Sequence, residues 1–187
     1  MGNTHNKILI RNRFTGEVIH EEVDVYGTNN LFAANLEGVS LKQADLRGQN
    51  LENAKLWGAD LTEADLTGAN LTGTSLSEAS LMGAILTEEV PFVENLDAKI
   101  LERIEKGTGL LNMKRYHTCR TTHCRAGWAV VLGGRKGKAL EKKLGPNAAG
   151  ALIYALAYPD LPVPNFYATN KEAIKDIKFR AERKSRT

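Results

Sequence analysis

Between Tyr116 and Trp128 the chain reads Tyr-His-Thr-Cys-Arg-Thr-Thr-His-Cys-Arg-Ala-Gly-Trp, a stretch that holds both of its cysteines and two of its four histidines. Residues of these types carry chemistry in three ways. A tetrahedral zinc site accepts two Cys and two His, which makes His117, Cys119, His123 and Cys124 a nominal ligand set. Adjacent side chains on a helix diverge by about 100°, however, so His123 and Cys124 do not readily face one ion. A catalytic thiolate is the second reading: Cys124 in the first turn of a helix, its pKa depressed by the dipole and by Arg120 or Arg125, with His117 as base. The third is a Cys119–Cys124 disulfide. A straight helix forbids it, since five residues rise about 7.5 Å against a Cα limit near 7 Å, and only a loop at Cys119 permits it.

A structural reading competes with all three and is preferred. Free cysteines are commonly buried, Thr121 or Thr122 suits a helix N-cap, and Gly127 allows close packing beside Trp128. No ligand or cofactor is needed to explain the segment. A second candidate, Gly133-Gly134-Arg135-Lys136-Gly137-Lys138, resembles a phosphate loop, but a Walker A requires Gly five residues before Gly137 and Ser or Thr after the Lys, where Leu132 and Ala139 stand. It reads as a solvated turn between helices, with Arg135, Lys136 and Lys138 kept as candidate anion-binding residues.

The elements that position these residues are helical. Apolar spacing and Gly or Pro punctuation predict helices over Asp97 to Lys106, about Thr122 to Leu132, Lys138 to Leu144, Ala148 to Tyr158 and Lys171 to Arg183. Together they describe a small all-α domain over residues 91–187.

The rest of the chain follows another rule. Leucine occupies every fifth position from Leu31 to Leu86, twelve in a row, and most are preceded two residues earlier by alanine. No helix or flat strand has a period of five, so the repeat implies a solenoid. Ala59-Asp60-Leu61-Thr62-Glu63, Ala64-Asp65-Leu66-Thr67-Gly68 and Ala69-Asn70-Leu71-Thr72-Gly73 show the unit plainly. If twenty residues make one coil, Asn30, Asn50 and Asn70 stack, as do Asp45 and Asp65. Residues 1–30 contain an alternating pattern around Phe14-Thr15-Gly16 that predicts a β-hairpin, placed to cover the open first rung.

This register resembles the pentapeptide repeat family over eleven successive units. The resemblance implies a right-handed quadrilateral β-helix over residues 31–90, with the leucines and the small residues pointing inward and the residue after each Leu pointing out. Among the outward positions Trp57 and Met82 stand out, and with Asp45 and Asp65 they are the candidate binding residues of the coil. The segment Cys119, Thr121, Cys124, Ala126, Gly127, Trp128 is similar to a C-x-T-x-x-C-x-A-G-W motif of phage and bacterial pentapeptide proteins that carry an α-helical C-terminal domain. Asn12-Arg13-Phe14-Thr15-Gly16 and Asn165-Phe166-Tyr167 share that likeness. The fold class is therefore mainly β plus α: a β-helix capped by a hairpin at one end and closed at the other by the helical domain.

Charge divides along the same lines. Residues 31–90 hold three basic and nine acidic residues, net −6, whereas residues 91–187 hold nineteen basic and nine acidic, net +10. No apolar run nears the roughly 20 residues of a membrane span, the first seven residues lack a secretory pattern, and two cysteines supply no disulfide framework, so a cytoplasmic protein without membrane contact is expected. The resulting expectation is a non-enzymatic protein-binding module, a phage-like inhibitor or modulator whose partner is a host or bacterial protein, with homodimerisation as a further assembly. Two alternatives remain open. One is a nucleotide or anion binder, or a Cys/His enzyme, in the helical domain. The other is a nucleic-acid binder or DNA mimic, since the resembled family includes acidic coils that imitate DNA toward gyrase.

Overall fold

The computed structural model describes residues 6–24, 27, 29–86, 89–107, 109–114 and 122–183. Two compact units emerge, one of residues 1–88 with 159–163, the other of residues 89–158 with 164–187.

The first unit is a β-helix-type solenoid. Parallel bridges join Asn35 to Lys55, Ser40 to Asp60, Asp45 to Asp65 and Asn50 to Asn70, and continue to Asp65 and Ile85. The spacing is always twenty, so four five-residue units complete one turn. Within each unit the chain turns a corner after the leucine: the N–H three residues on donates to the Leu carbonyl, as from Ala54 to Leu51 at 2.9 Å and from Ala64 to Leu61 at 3.0 Å. The residue two after each leucine has positive φ at every fifth position from Ala33 to Gly83. This is the signature of a type II turn, whose third position requires a left-handed residue. The recurrent glycine of the repeat is therefore the corner residue. Between corners the backbone bonds to the next rung, as in Leu36 N–H to Lys55 carbonyl and Lys55 N–H to Ala34 carbonyl. All leucines from Leu31 to Leu81 are buried, whereas Leu86 is only half-buried.

Strand β1 (Lys7–Asn12) pairs antiparallel with β2 (Val18–Val23) and shifts register between Ile10 and Arg11. Its alternation buries Ile8 and Ile10. Asn12 Oδ1 closes the turn by accepting from the Phe14 and Thr15 amides. The other edge of β1 pairs with β3 (Ala44–Asp45), a rung of the coil, and Arg13 N–H donates to the Gln43 carbonyl at 2.7 Å. Residues 159–163 join this unit through Val163 N–H to the Ala79 carbonyl.

The second unit contains α1 (Leu96–Glu105), α2 (Arg125–Leu132), α3 (Gly134–Leu144), α4 (Pro146–Ala157) and α5 (Asn170–Arg183). It is not all-α, because β4 (Leu110–Leu111) and β5 (Thr122–His123) form a short parallel pair. Thr122 thus belongs to a strand, and the cap of α2 is Cys124, whose Sγ accepts from Gly127 N–H at 3.5 Å; Thr121 lies outside the described residues. Helix α3 begins at Gly134, so the segment read as a loop up to Lys138 is helical. Its glycine misled because a helix interior rarely favours Gly, yet a Cβ at Gly137 would stand 2.3 Å from the Val130 carbonyl oxygen. Packing against α2 demands the glycine. Likewise a Cβ at Gly150 of α4 would lie 2.6 Å from Ala126 Cβ. Among the described residues no helix is long and apolar enough to cross a membrane.

Candidate functional site

On the coil, an Asp or Asn preceding the leucine caps the turn that follows it. Asp45, Asn50, Asp60, Asp65 and Asn70 each accept, through Oδ1, the backbone N–H two residues on. Asp and Asn serve equally because each presents an oxygen at the same reach. Asp45 and Asp65 do stack, as a parallel bridge. Arg47 relieves the column: its Nε and Nη2 fork onto Asp45 at 2.8 and 2.6 Å, which holds the Asp45 carboxyl below its ordinary value. The hydrogen bond from Thr67 does the same for Asp65. Beside Asp45 an open depression of about 440 Å³ is lined by Leu9, Arg11, Arg47 and Gln49. In the neighbouring column Asn70 Nδ2 donates to Asn50 Oδ1 at 3.1 Å.

Trp57 and Met82 stand outward, 38% and 49% exposed. Trp57 Nε1 donates to Glu78 Oε2 at 2.9 Å, so its indole is oriented by the next rung.

Of the Cys/His cluster, His123 and Cys124 fall among the described residues. His117 and Cys119 lie outside the described residues. His123 is buried, its ring edge-on to Trp128 with centroids 4.8 Å apart. Cys124 is a free, buried thiol at the helix cap, and burial pushes its pKa up. That is the opposite of the depression a thiolate nucleophile needs. Among the described residues no group of three His, Cys, Asp or Glu side chains is arranged to hold a metal.

Arg125 is not a neighbour that activates the thiol. It is the centre of a buried ionic hub, 1% exposed. Its Nε donates to the Tyr154 hydroxyl at 2.9 Å, its Nη2 to both Asp97 oxygens at 3.1 Å, and its Nη1 to Asp176 Oδ2. The Tyr154 hydroxyl donates to Asp97 Oδ1 at 2.8 Å, Asp97 N–H donates to the Tyr158 hydroxyl, and Arg180 Nε donates to Asp176 at 2.9 Å. Two cations and two anions from α1, α2 and α5, with Tyr154 of α4 and Tyr158 just past its end, thus close on one another. Burial pushes the Asp97 carboxyl up against the pull of Arg125 and Tyr154. At Asp176 partial burial opposes the charge, but Arg125 and Arg180 outweigh it and hold the carboxyl low. Such a hub ties helices together.

Residues 30–68, and again 50–88, match the family described as pentapeptide repeats, eight copies. The middle of the chain is a pentapeptide-repeat solenoid. The match ends at residue 88, where the first compact unit gives way to the second. No curated protein matches the chain at a significant level.

Trp57 and Met82 lie exposed on the coil, whereas Thr62 and Ser77, which likewise follow a leucine, are buried, and the hub was not foreseen from the sequence. A signal existed: Asp97, Arg125 and Tyr154 each sit on an otherwise apolar helix face. A buried charge needs a partner. Arg135, Lys136 and Lys138 do not ring an anion in a loop but lie exposed along α3.

Proposed function

We propose that the chain is a non-enzymatic protein-binding module, a phage-type inhibitor or modulator of a host protein in the bacterial cytoplasm. In this reading the pentapeptide coil is a right-handed square rod with the hairpin as its N-terminal cap. Trp57 carries the proposal. An indole held outward by Glu78 on a backbone bonded rung to rung loses little freedom on docking, and Trp is among the residues enriched at binding hot spots. Met82 adds an adaptable apolar contact. The aspartates of the coil favour this reading over DNA mimicry, because they cap their own backbone and, at Asp45, are neutralised by Arg47.

The test is capture from host lysate with the full chain as bait, followed by affinity measurement on the captured protein. Trp57→Ala is expected to weaken binding about thirtyfold or more, the scale of a hot spot, with an unchanged circular dichroism spectrum. Equal binding by the variant, or no capture at micromolar bait, refutes the proposal.

A further inference from the structure

We propose that the solvent face of α3 binds the phosphate backbone of a nucleic acid, a second docking surface independent of the Trp57 reading. Helix α3 buries Gly137, Leu140 and Leu144 and exposes Arg135, Lys136, Lys138, Ala139, Lys142 and Lys143. At 100° per residue those six exposed positions cover an arc of about 160°, with Ala139 near its middle. No acid falls inside the arc. Glu141, half-buried, lies about 60° beyond its edge. Five cations therefore surround a small residue that lets a backbone approach closely.

The chemistry selects the partner. An interfacial membrane helix turns an apolar face into lipid, but the leucines of α3 are buried within the unit and its outer arc offers nothing apolar beyond Ala139. Protein interfaces centre on aromatic anchors, and this arc has none. What remains is dense positive charge over the roughly 12 Å from Arg135 to Lys143. A duplex carries one phosphate charge per ~1.7 Å of axis, so a helix face of that length meets about seven, of which about three face it. Lys136 pairs with Glu89 at 3.0 Å, but both side chains are well exposed and such a pair exchanges readily. Helix α5 is a poorer candidate, because Glu172, Glu182 and the exposed Phe179 interrupt its lysines.

Fluorescence anisotropy of the full chain against a labelled 20-base-pair duplex tests this. With about three phosphates neutralised, affinity falls about fortyfold between 50 and 200 mM salt. Lys138→Gln with Lys142→Gln is expected to reduce that fall to about three- to fourfold and to weaken binding at 50 mM. Lys175→Gln with Lys178→Gln on α5 is expected to leave both unchanged. Melting curves confirm that these surface variants stay folded. The proposal is overturned by absence of binding at 50 mM salt, by an unchanged salt slope in the α3 variant, by loss of binding in the α5 variant, or by equal affinity for vesicles of anionic lipid.

Discussion

Arg125→Met removes the centre of the hub and tests whether the helical unit depends on it. The substitution keeps the volume of the side-chain stem but leaves Asp97, fully buried, without its cation and strips the Tyr154 hydroxyl of a donor. Breaking a buried pair from one side costs about 3–5 kcal/mol. A unit of this size holds roughly 5–14 kcal/mol in total, so the loss is a large fraction. At about 4–8 °C per kcal/mol the midpoint should drop by roughly 12 °C or more. The two tryptophans make the assay selective, since Trp57 belongs to the first unit and Trp128, buried, to the second. In a Trp57→Phe background the emission of Trp128 follows the helical unit alone. The decisive comparison is the triple variant Arg125→Met, Asp97→Leu, Tyr154→Phe, which removes the stranded charge and the orphaned hydroxyl together. Replacing a buried ionic group by apolar residues is commonly neutral or stabilising by about 1–4 kcal/mol, so the triple variant should melt near or above the parent. A single variant that costs less than about 1 kcal/mol, or a triple variant that melts no higher than the single, refutes the view of the hub as a mutually compensating set of charges.

Two further predictions concern the coil and the response to acid. Gly73→Ala is expected to destabilise the coil by about 1–3 kcal/mol, because the corner holds φ at +69° and the new Cβ would lie 2.3 Å from Asn53 Oδ1; urea unfolding followed by Trp57 emission measures it, and an unchanged midpoint contradicts the corner assignment. The carboxyls of Asp45 and Asp65, held low by Arg47 and by Thr67, and of Asp176, held low by its two arginines despite partial burial, bind fewer protons folded than unfolded. Their contribution is present above about pH 4 and lost as pH falls through the folded values. Asp97, pushed up by burial, works in the opposite direction. Melting at pH 5 and pH 2.5 should show a net loss of stability in acid, and a gain overturns the assignment.

How much of the protein is legible in the sequence depends on the range of the interactions. The coil is written locally. A leucine every fifth residue, a small residue before it and a glycine after it specify inward packing, stacking at twenty and a left-handed corner, all within one or two units of the residue concerned. The hairpin turn is local as well, closed by Asn12 on its own neighbours. Helices α1, α4 and α5 follow from apolar spacing to within two residues at either end.

What the sequence left undecided lies where distant segments meet. Gly137 reads as part of a turn until Val130 is seen against it, and the close approach of Ala126 to Gly150 has no local signal. A thiolate at Cys124 is one reading the residues allow beside the preferred structural one, and burial, which raises the thiol, speaks against it. Arg125 looks like its activator until Asp97, Tyr154 and Asp176 arrive from three other helices. The sequence by itself determined a five-residue solenoid followed by a helical unit, because a repeated local pattern needs only its neighbours to be satisfied. The tertiary structure decided which charges are buried together and which are left on the surface, because desolvation depends on everything that surrounds a group and not on its place in the chain.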